Sequence, residues 1–309
     1  MDAAALREAF PGLGDRAYLN AGSCGPLPRA AVRAGAALVE GAMLEGRAKP
    51  YFEATLDLRA RLRAAYAAVL GADEADVALT TCTSEGMVRV LLGLGLERGD
   101  EVLTAPDEHP GLLGPRLTLR DRAGVEIRTA PLGDLPDAVG PRTRLVACSH
   151  VSWITGEQAP AALAGLPDEV PVLLDGAQGV GAVPADVAAL GCAFYGGAGQ
   201  KWLCGPVGAG MLWVAPAWRE RLAPAGLTYP NLEEPSRGLE AAPWPDARRH
   251  DSPALSAELC AAALAAHDVL AEAGWQEVHE RGTALAESLA ARLAERGLRV
   301  APRGRTTLV

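Results

Sequence analysis

Residues 170–201 read VPVLLDGAQGVGAVPADVAALGCAFYGGAGQK. The apolar run VPVLL ends on Asp175, a stretch rich in Gly and Ala follows, and a second short run, AFYGG, leads to Lys201. A continuous apolar run of this length, bounded by Gly, is read as a strand buried on both faces, the kind found in parallel sheets covered by helices. A carboxylate at the end of such a strand is costly unless a positive partner meets it.

Similar runs recur on either side. VALTT (77–81), EVLTAP (101–106), RLVACSH (144–150), AFYGG (193–197) and GAGMLWV (208–214) alternate with longer helical stretches. That alternation predicts an α/β fold, a mostly parallel sheet flanked by helices. Ligands of such sheets settle at the carboxyl ends of the strands. The segments that fall there are TCTSEG, DEHPG, SHVSW, DGAQG and GAGQK, all polar, small or ionisable.

The whole chain has 309 residues and 49% hydrophobic content, enough to bury a large core. Its formal net charge of −9 argues against a nucleic-acid binder, which usually presents a basic face. No apolar run is long and uncharged enough to span a bilayer, and the N-terminus does not read as a secretory signal. The six cysteines stand singly with no CxxC pair, which disfavours metal ribbons and disulfide frameworks and predicts a soluble, cytoplasmic protein without a metal.

Three parts are expected: an N-terminal segment (1–20), a large ligand-binding domain (21–250), and residues 251–309 as an interdomain helix and the start of a small α+β domain, incomplete in this chain. Within the last part, residues 253–297 read as two Ala/Leu-rich helices separated at Gly274, followed by the strand-like runs LRVAP and RTTLV. Residues 217–250, with five prolines, read as a long irregular connection.

The strand-end residues form a chemical set. A lysine amine condenses with an aldehyde to a Schiff base, and Lys201 stands among Gly196, Gly197 and Gly199, which predict close approach of a planar ligand. A protonated ring nitrogen would meet the Asp175 carboxylate, and Gln178, one turn on, would reach the same ligand. Thr83 and Ser84 open a helix, where hydroxyls and N–H groups suit a phosphate ester. His109 suits stacking and proton exchange. Together these are the parts of a pyridoxal phosphate (PLP) site. Lysine flanked by Gln200 and Trp202 excludes a P-loop, and no full dinucleotide fingerprint is present.

The stretch from Asp175 to Val214 resembles the cofactor-lysine region of the class V aminotransferase family, PLP enzymes of fold type I that include cysteine desulfurases, selenocysteine lyases, kynureninase and isopenicillin-N-epimerase-like proteins. The resemblance extends to YLNAGSCGPLP, TCTSEG, the EH of DEHPG and HVSWITG. It implies that Lys201 carries the cofactor, Asp175 pairs with the pyridine nitrogen, Gln178 contacts the phenolic oxygen and His109 stacks on the ring. Thr83, Ser84 and Gln200 would hold phosphate. It also implies an amino-acid substrate and a homodimer, with the segment around Arg248, Arg249, His250 and Ser252 reaching a neighbouring subunit's phosphate. Ala198 replaces a frequent phosphate-binding Ser and Trp153 a frequent Asn, which counts against a desulfurase more than against a PLP enzyme. The expected activity is class V aminotransferase or lyase chemistry, the alternatives being a desulfurase or selenocysteine lyase, or a PLP-fold interaction protein without turnover.

Bland readings exist for each residue. Asp175, Thr83 and Ser84 could simply cap helices, and Cys204, three residues after the lysine, reads as a packed thiol. Cys24 lies in the NAGSCGPLP loop that in relatives borders the substrate, and structural packing is its simpler role. His150 reads as structural or as a support one layer behind the site.

Overall fold

The computed structural model describes residues 1–309. In chain order the elements are α1 (Ala3–Ala9), α2 (Arg29–Glu45), α3 (Lys49–Leu70), β1 (Val77–Thr80), α4 (Thr83–Gly93), β2 (Glu101–Thr104), α5 (Pro110–Ala123) and β3 (Glu126–Thr129). There follow β4 (Thr143–Ser149), β5 (Val172–Asp175), α6 (Val187–Leu190), β6 (Phe194–Ala198), β7 (Gly210–Val214), α7 (Ala257–Ala273) and α8 (Trp275–Glu295).

The seven strands form one sheet in the order β1-β7-β6-β5-β4-β2-β3. All pairings are parallel except those of β7, which runs antiparallel to both β1 and β6. Residues of β1, β2, β5, β6 and β7 are buried on both faces, as the continuous apolar runs predict. One core cluster packs Leu62, Tyr66 and Leu70 of α3 and Cys260 and Leu264 of α7 against one face of the sheet. The other places Met87, Val90 and Leu91 of α4 and Leu112 and Leu119 of α5 on the opposite face. The result is a three-layer α/β/α body.

β3 is the strand that sequence reading misses. Its residues EIRT are polar, only partly buried, and pair with β2 alone, so this edge strand has no apolar run to announce it. Gly274, at φ +89°, separates α7 from α8 as expected. Residues 217–250 carry only short 3-10 turns.

LRVAP and RTTLV do not form strands. The segment has no sheet edge beside it, and a lone pair of short strands is not stable by itself. Its polar groups instead meet the loop after β4: Gly304 N–H and the Thr306 hydroxyl donate to Gly156 O (both 3.1 Å), and Gln158 Nε2 donates to Arg305 O (3.0 Å). No helix is long and apolar enough to cross a membrane.

Candidate active site

The strand order reverses between β2 and β4, and the crevice beyond the carboxyl ends of this half of the sheet gathers the ionisable strand-end residues. Asp175 ends β5 and is 5% exposed. Its Oδ1 accepts the N–H of Ala177 at 2.9 Å, and no ion-pair contact is made. Burial raises its pKa, while that N–H and, through space, Lys201, His109 and Arg116 pull it back down. Lys201 and His109 therefore converge on this carboxylate from different strand ends.

Lys201 lies in a turn after β6, closed by Cys204 N–H donating to Lys201 O at 3.1 Å. Cys204 is the one non-glycine residue in the left-handed region, at φ +53°, a conformation that costs about 1–2 kcal/mol for a residue with a Cβ. Burial lowers the lysine's pKa, opposed by Asp175 and by Cys24. A lowered pKa leaves more of the amine unprotonated, the form that condenses with a carbonyl.

The loop 20–25 closes over this turn. Gly25 N–H donates to Gln200 O at 2.7 Å, and a Cβ on Gly25 would fall 2.2 Å from Lys201 O. Tyr18 OH donates to Cys24 O (2.6 Å), and Cys24, exposed, directly precedes the Gly25 that touches the Lys201 turn. Gln178 is fixed at both ends: its Nε2 donates to Gly22 O (2.9 Å) and its Oε1 accepts from Trp202 Nε1 (2.8 Å). One Nε2 hydrogen is left for another acceptor.

Thr83 and Ser84 open α4, whose N-cap Cys82 supplies no side-chain cap. Thr83 is 6% exposed and its hydroxyl has no partner in the chain, nor does the buried Oε1 of Gln200. A buried hydroxyl with nothing to bond is costly unless something else meets it. Ser84 Oγ lies where a Cβ on Gly111 would reach within 2.2 Å, so the start of α5 abuts the start of α4. His109 caps α5: its Nδ1 accepts the Gly111 N–H at 3.0 Å, which places the ring proton on Nε2. The ring meets Trp153 edge to face, centroids 5.3 Å apart. This set fits PLP: a helix start with an unpartnered buried hydroxyl for a phosphate, a buried carboxylate for a ring nitrogen, and an amine in the turn after the neighbouring strand.

Two expectations need correction. Gly196, Gly197 and Gly199 do not clear space for a ligand; a Cβ there would strike Met87 Cε (2.4 Å), Val180 Cγ1 (3.0 Å) and Ala209 O or Tyr66 OH (2.8 Å). They admit α4 and α3 against the sheet. Arg248, Arg249, His250 and Ser252 are engaged within their own chain. Arg248 pairs with Asp246 (2.7 Å) and lies 3.6 Å over Trp244, Arg249 donates to Trp244 O, His250 is wholly buried, and Ser252 N–H donates to Leu79 O. The segment turns inward because Asp251 binds Arg63 bidentately and accepts Leu79 N–H. His150 is buried behind the site, its Nδ1 bonding Tyr195 OH at 3.0 Å directly beneath the Gly176–Gly179 turn.

Sequence reading passed over Glu108 and Trp202. Glu108 is 4% exposed and accepts both the N–H and the hydroxyl of Ser149. An acidic residue directly before a candidate ring-stacking His was the available signal.

The sheet order and strand-end site define the fold type I architecture of PLP-dependent transferases. Residues 40–305 match the family model for Aminotransferase class-V, and the chain belongs to that family. Isopenicillin N epimerase of Streptomyces clavuligerus is 34% identical over 239 residues, covering 71% of this chain and 58% of that protein. A cysteine desulfurase of Klebsiella pneumoniae is 36% identical over 163 residues, 48% of this chain and 40% of that one. The chain thus spans about half the length of these curated relatives. Among solved structures, a mutant of C-DES with glycine covalently linked to its PLP cofactor superposes with TM-score 0.88 at 29% identity, covering 94% of this chain and 80% of that chain. C-DES, described as a cystine C-S lyase, is also similar in complex with its product cysteine persulfide (TM-score 0.86, 29% identity; 93% of this chain, 80% of that).

Proposed function

We propose that this chain binds PLP through Lys201 and transforms an amino acid by aminotransferase or lyase chemistry. The observation that carries the reading is the buried Asp175 carboxylate, without a contact cation, at the end of β5, beside β6 and the turn after it that holds Lys201. Bound PLP supplies an aldehyde for an amine to condense with and a ring that withdraws electrons from the substrate's α-carbon.

The chain's own residues do the rest. Asp175 holds a proton on the ring nitrogen by staying ionised in a buried site. The second Nε2 hydrogen of Gln178 serves the phenolic oxygen, with the amide locked by Gly22 and Trp202. Thr83, Ser84 and Gln200 serve the phosphate, and the His109 ring, fixed by its cap bond, flanks the cofactor. Lys201 Nζ would serve as the base for the substrate's α-proton, a role its lowered pKa favours.

Purified protein given PLP should show an absorption band near the visible edge that borohydride shifts. Lys201→Ala should fold, lose that covalent band and retain only dissociable cofactor; an unchanged reducible band would place the attachment elsewhere.

A second reading, C–S bond cleavage, is favoured by the exposed Cys24, which directly precedes the Gly25 that touches the Lys201 turn. Incubation with cysteine and a thiol reductant should then give alanine and sulfide. Keto-acid formation from another amino acid without sulfide would select transamination. The site serves a cytoplasmic homodimer, in which a second copy covers the exposed Val39, Met43 and Leu44 of α2 and Phe52 and Leu56 of α3.

A further inference from the structure

Two further charged side chains are buried behind Asp175. Arg116, on the inner side of α5, is 1% exposed. Its Nε donates to Leu112 O (2.9 Å) within its own helix, and neither Nη1 nor Nη2 has a hydrogen-bond partner in the chain. Glu108, 4% exposed, is held by Ser149, and Ser149 of β4 is the register partner of Asp175 of β5. Ser149 thus stands between the two carboxylates, Glu108 from the loop after β2 and Asp175 at the end of β5, and Asp175 makes Glu108 harder to ionise. Arg116 lies between Leu112 and Leu119 on the face of α5 that packs against Leu145 and Ala147 of β4 and Leu173 of β5, the sheet face that Ser149 and Asp175 continue; it makes no contact pair with either carboxylate, and both act on it through space.

The charges can be counted. Two buried carboxylates and one buried guanidinium leave one negative charge unbalanced, enough for one cationic ring nitrogen. The other groups facing this cluster are Lys201 and His109, on the Asp175 side, and Cys148, whose buried thiol is held neutral. Without Arg116, two like charges would share a buried site, and one of them would take up a proton. Desolvation alone would then decide which.

We propose that Arg116 is a positioning residue for the cofactor: its guanidinium balances the Glu108 carboxylate and so reserves the charge of Asp175 for the ring nitrogen of PLP. This rests on the PLP reading above. A purely space-filling arginine would have no dependence on Glu108, which is how the two roles separate.

Three variants test it: Arg116→Met, which keeps the stem and deletes the charge; Arg116→Lys, which keeps the charge; and Arg116→Met combined with Glu108→Gln, which removes both charges and preserves bonding to Ser149. Affinity for PLP, read by equilibrium dialysis at neutral pH, should fall about tenfold in Arg116→Met, the equivalent of one unit of carboxylate pKa. It should be largely retained in Arg116→Lys and restored in the double variant. Equal weakening in single and double variants, or no weakening in Arg116→Met, overturns the proposal.

Urea unfolding of the cofactor-free proteins supplies a reading that does not depend on PLP. The midpoint deficit of Arg116→Met should be largest at pH 7.5 and shrink toward pH 5, where a carboxylate can protonate, and the double variant should recover most of it. A deficit equal at both pH values and not relieved by Glu108→Gln makes Arg116 a packing residue. If wild-type protein binds no PLP, the cofactor reading fails, and the urea midpoints still decide whether Arg116 balances Glu108.

Discussion

Gly25 is where the N-terminal loop touches the turn that carries Lys201. With a Cβ, it would press within 2.2 Å of the lysine's own carbonyl oxygen, and backbone cannot swing aside as a side chain can. Gly25→Ala should therefore lift loop 20–25, raise protease cleavage there, and weaken PLP binding by an order of magnitude or so, with a modest stability loss of about 1–3 kcal/mol from overpacking. Thr83 makes the opposite kind of prediction. Its buried hydroxyl bonds nothing in the chain, so Thr83→Val should leave the cofactor-free protein as stable or slightly more stable in urea, yet weaken PLP binding several-fold. At this scale the sequence was enough to put Lys201, Asp175 and His109 at or after strand ends, because the apolar runs that precede them mark the strands. It was silent on Arg116, an arginine in a helix otherwise bearing exposed charges, and it misread the glycines of β6, whose neighbours come from helices distant in the chain.

Among the elements, the bond between α3, β1 and the segment preceding α7 depends on one side chain. Asp251 takes two hydrogen bonds from Arg63, one from Arg59 and one from Leu79 N–H, with its carboxylate and Arg63 both nearly buried. Asp251→Asn would strand a buried guanidinium, and a loss of about 3–5 kcal/mol in urea unfolding is expected. His250, wholly buried beside it, has its pKa pushed down to about 4. The unfolded chain therefore binds a proton on this side chain before the folded one does, and stability falls with decreasing pH between about 6.5 and 4, by at most about 1.4 kcal/mol per pH unit. His250→Asn should flatten that slope in pH-dependent urea unfolding. These ties were not legible beforehand: Asp251, Arg63 and His250 come from segments whose meeting is set by the sheet. The buried strands were legible because both faces are covered, whereas β3, exposed at the edge, had no hydrophobic run to mark it.

For the whole molecule, the α/β character and the crevice followed from alternation of buried runs with helices, and the path of residues 298–309 did not, since it is set by what lies beside it. The exposed apolar residues on α2 and α3 belong to this scale as well. Sedimentation should show a dimer, and Met43→Glu with Phe52→Glu should shift it to monomer. The placing of β1 has its own consequence. Val77 pairs with Trp213, so the strand that leads into Thr83 lacks its sheet neighbour until most of the chain has been synthesised. At ribosomal elongation rates that delay is on the order of ten seconds. The end of the crevice that holds Thr83 is thus the last to gain its wall during translation, and a nascent chain released early would expose a naked β edge to its neighbours.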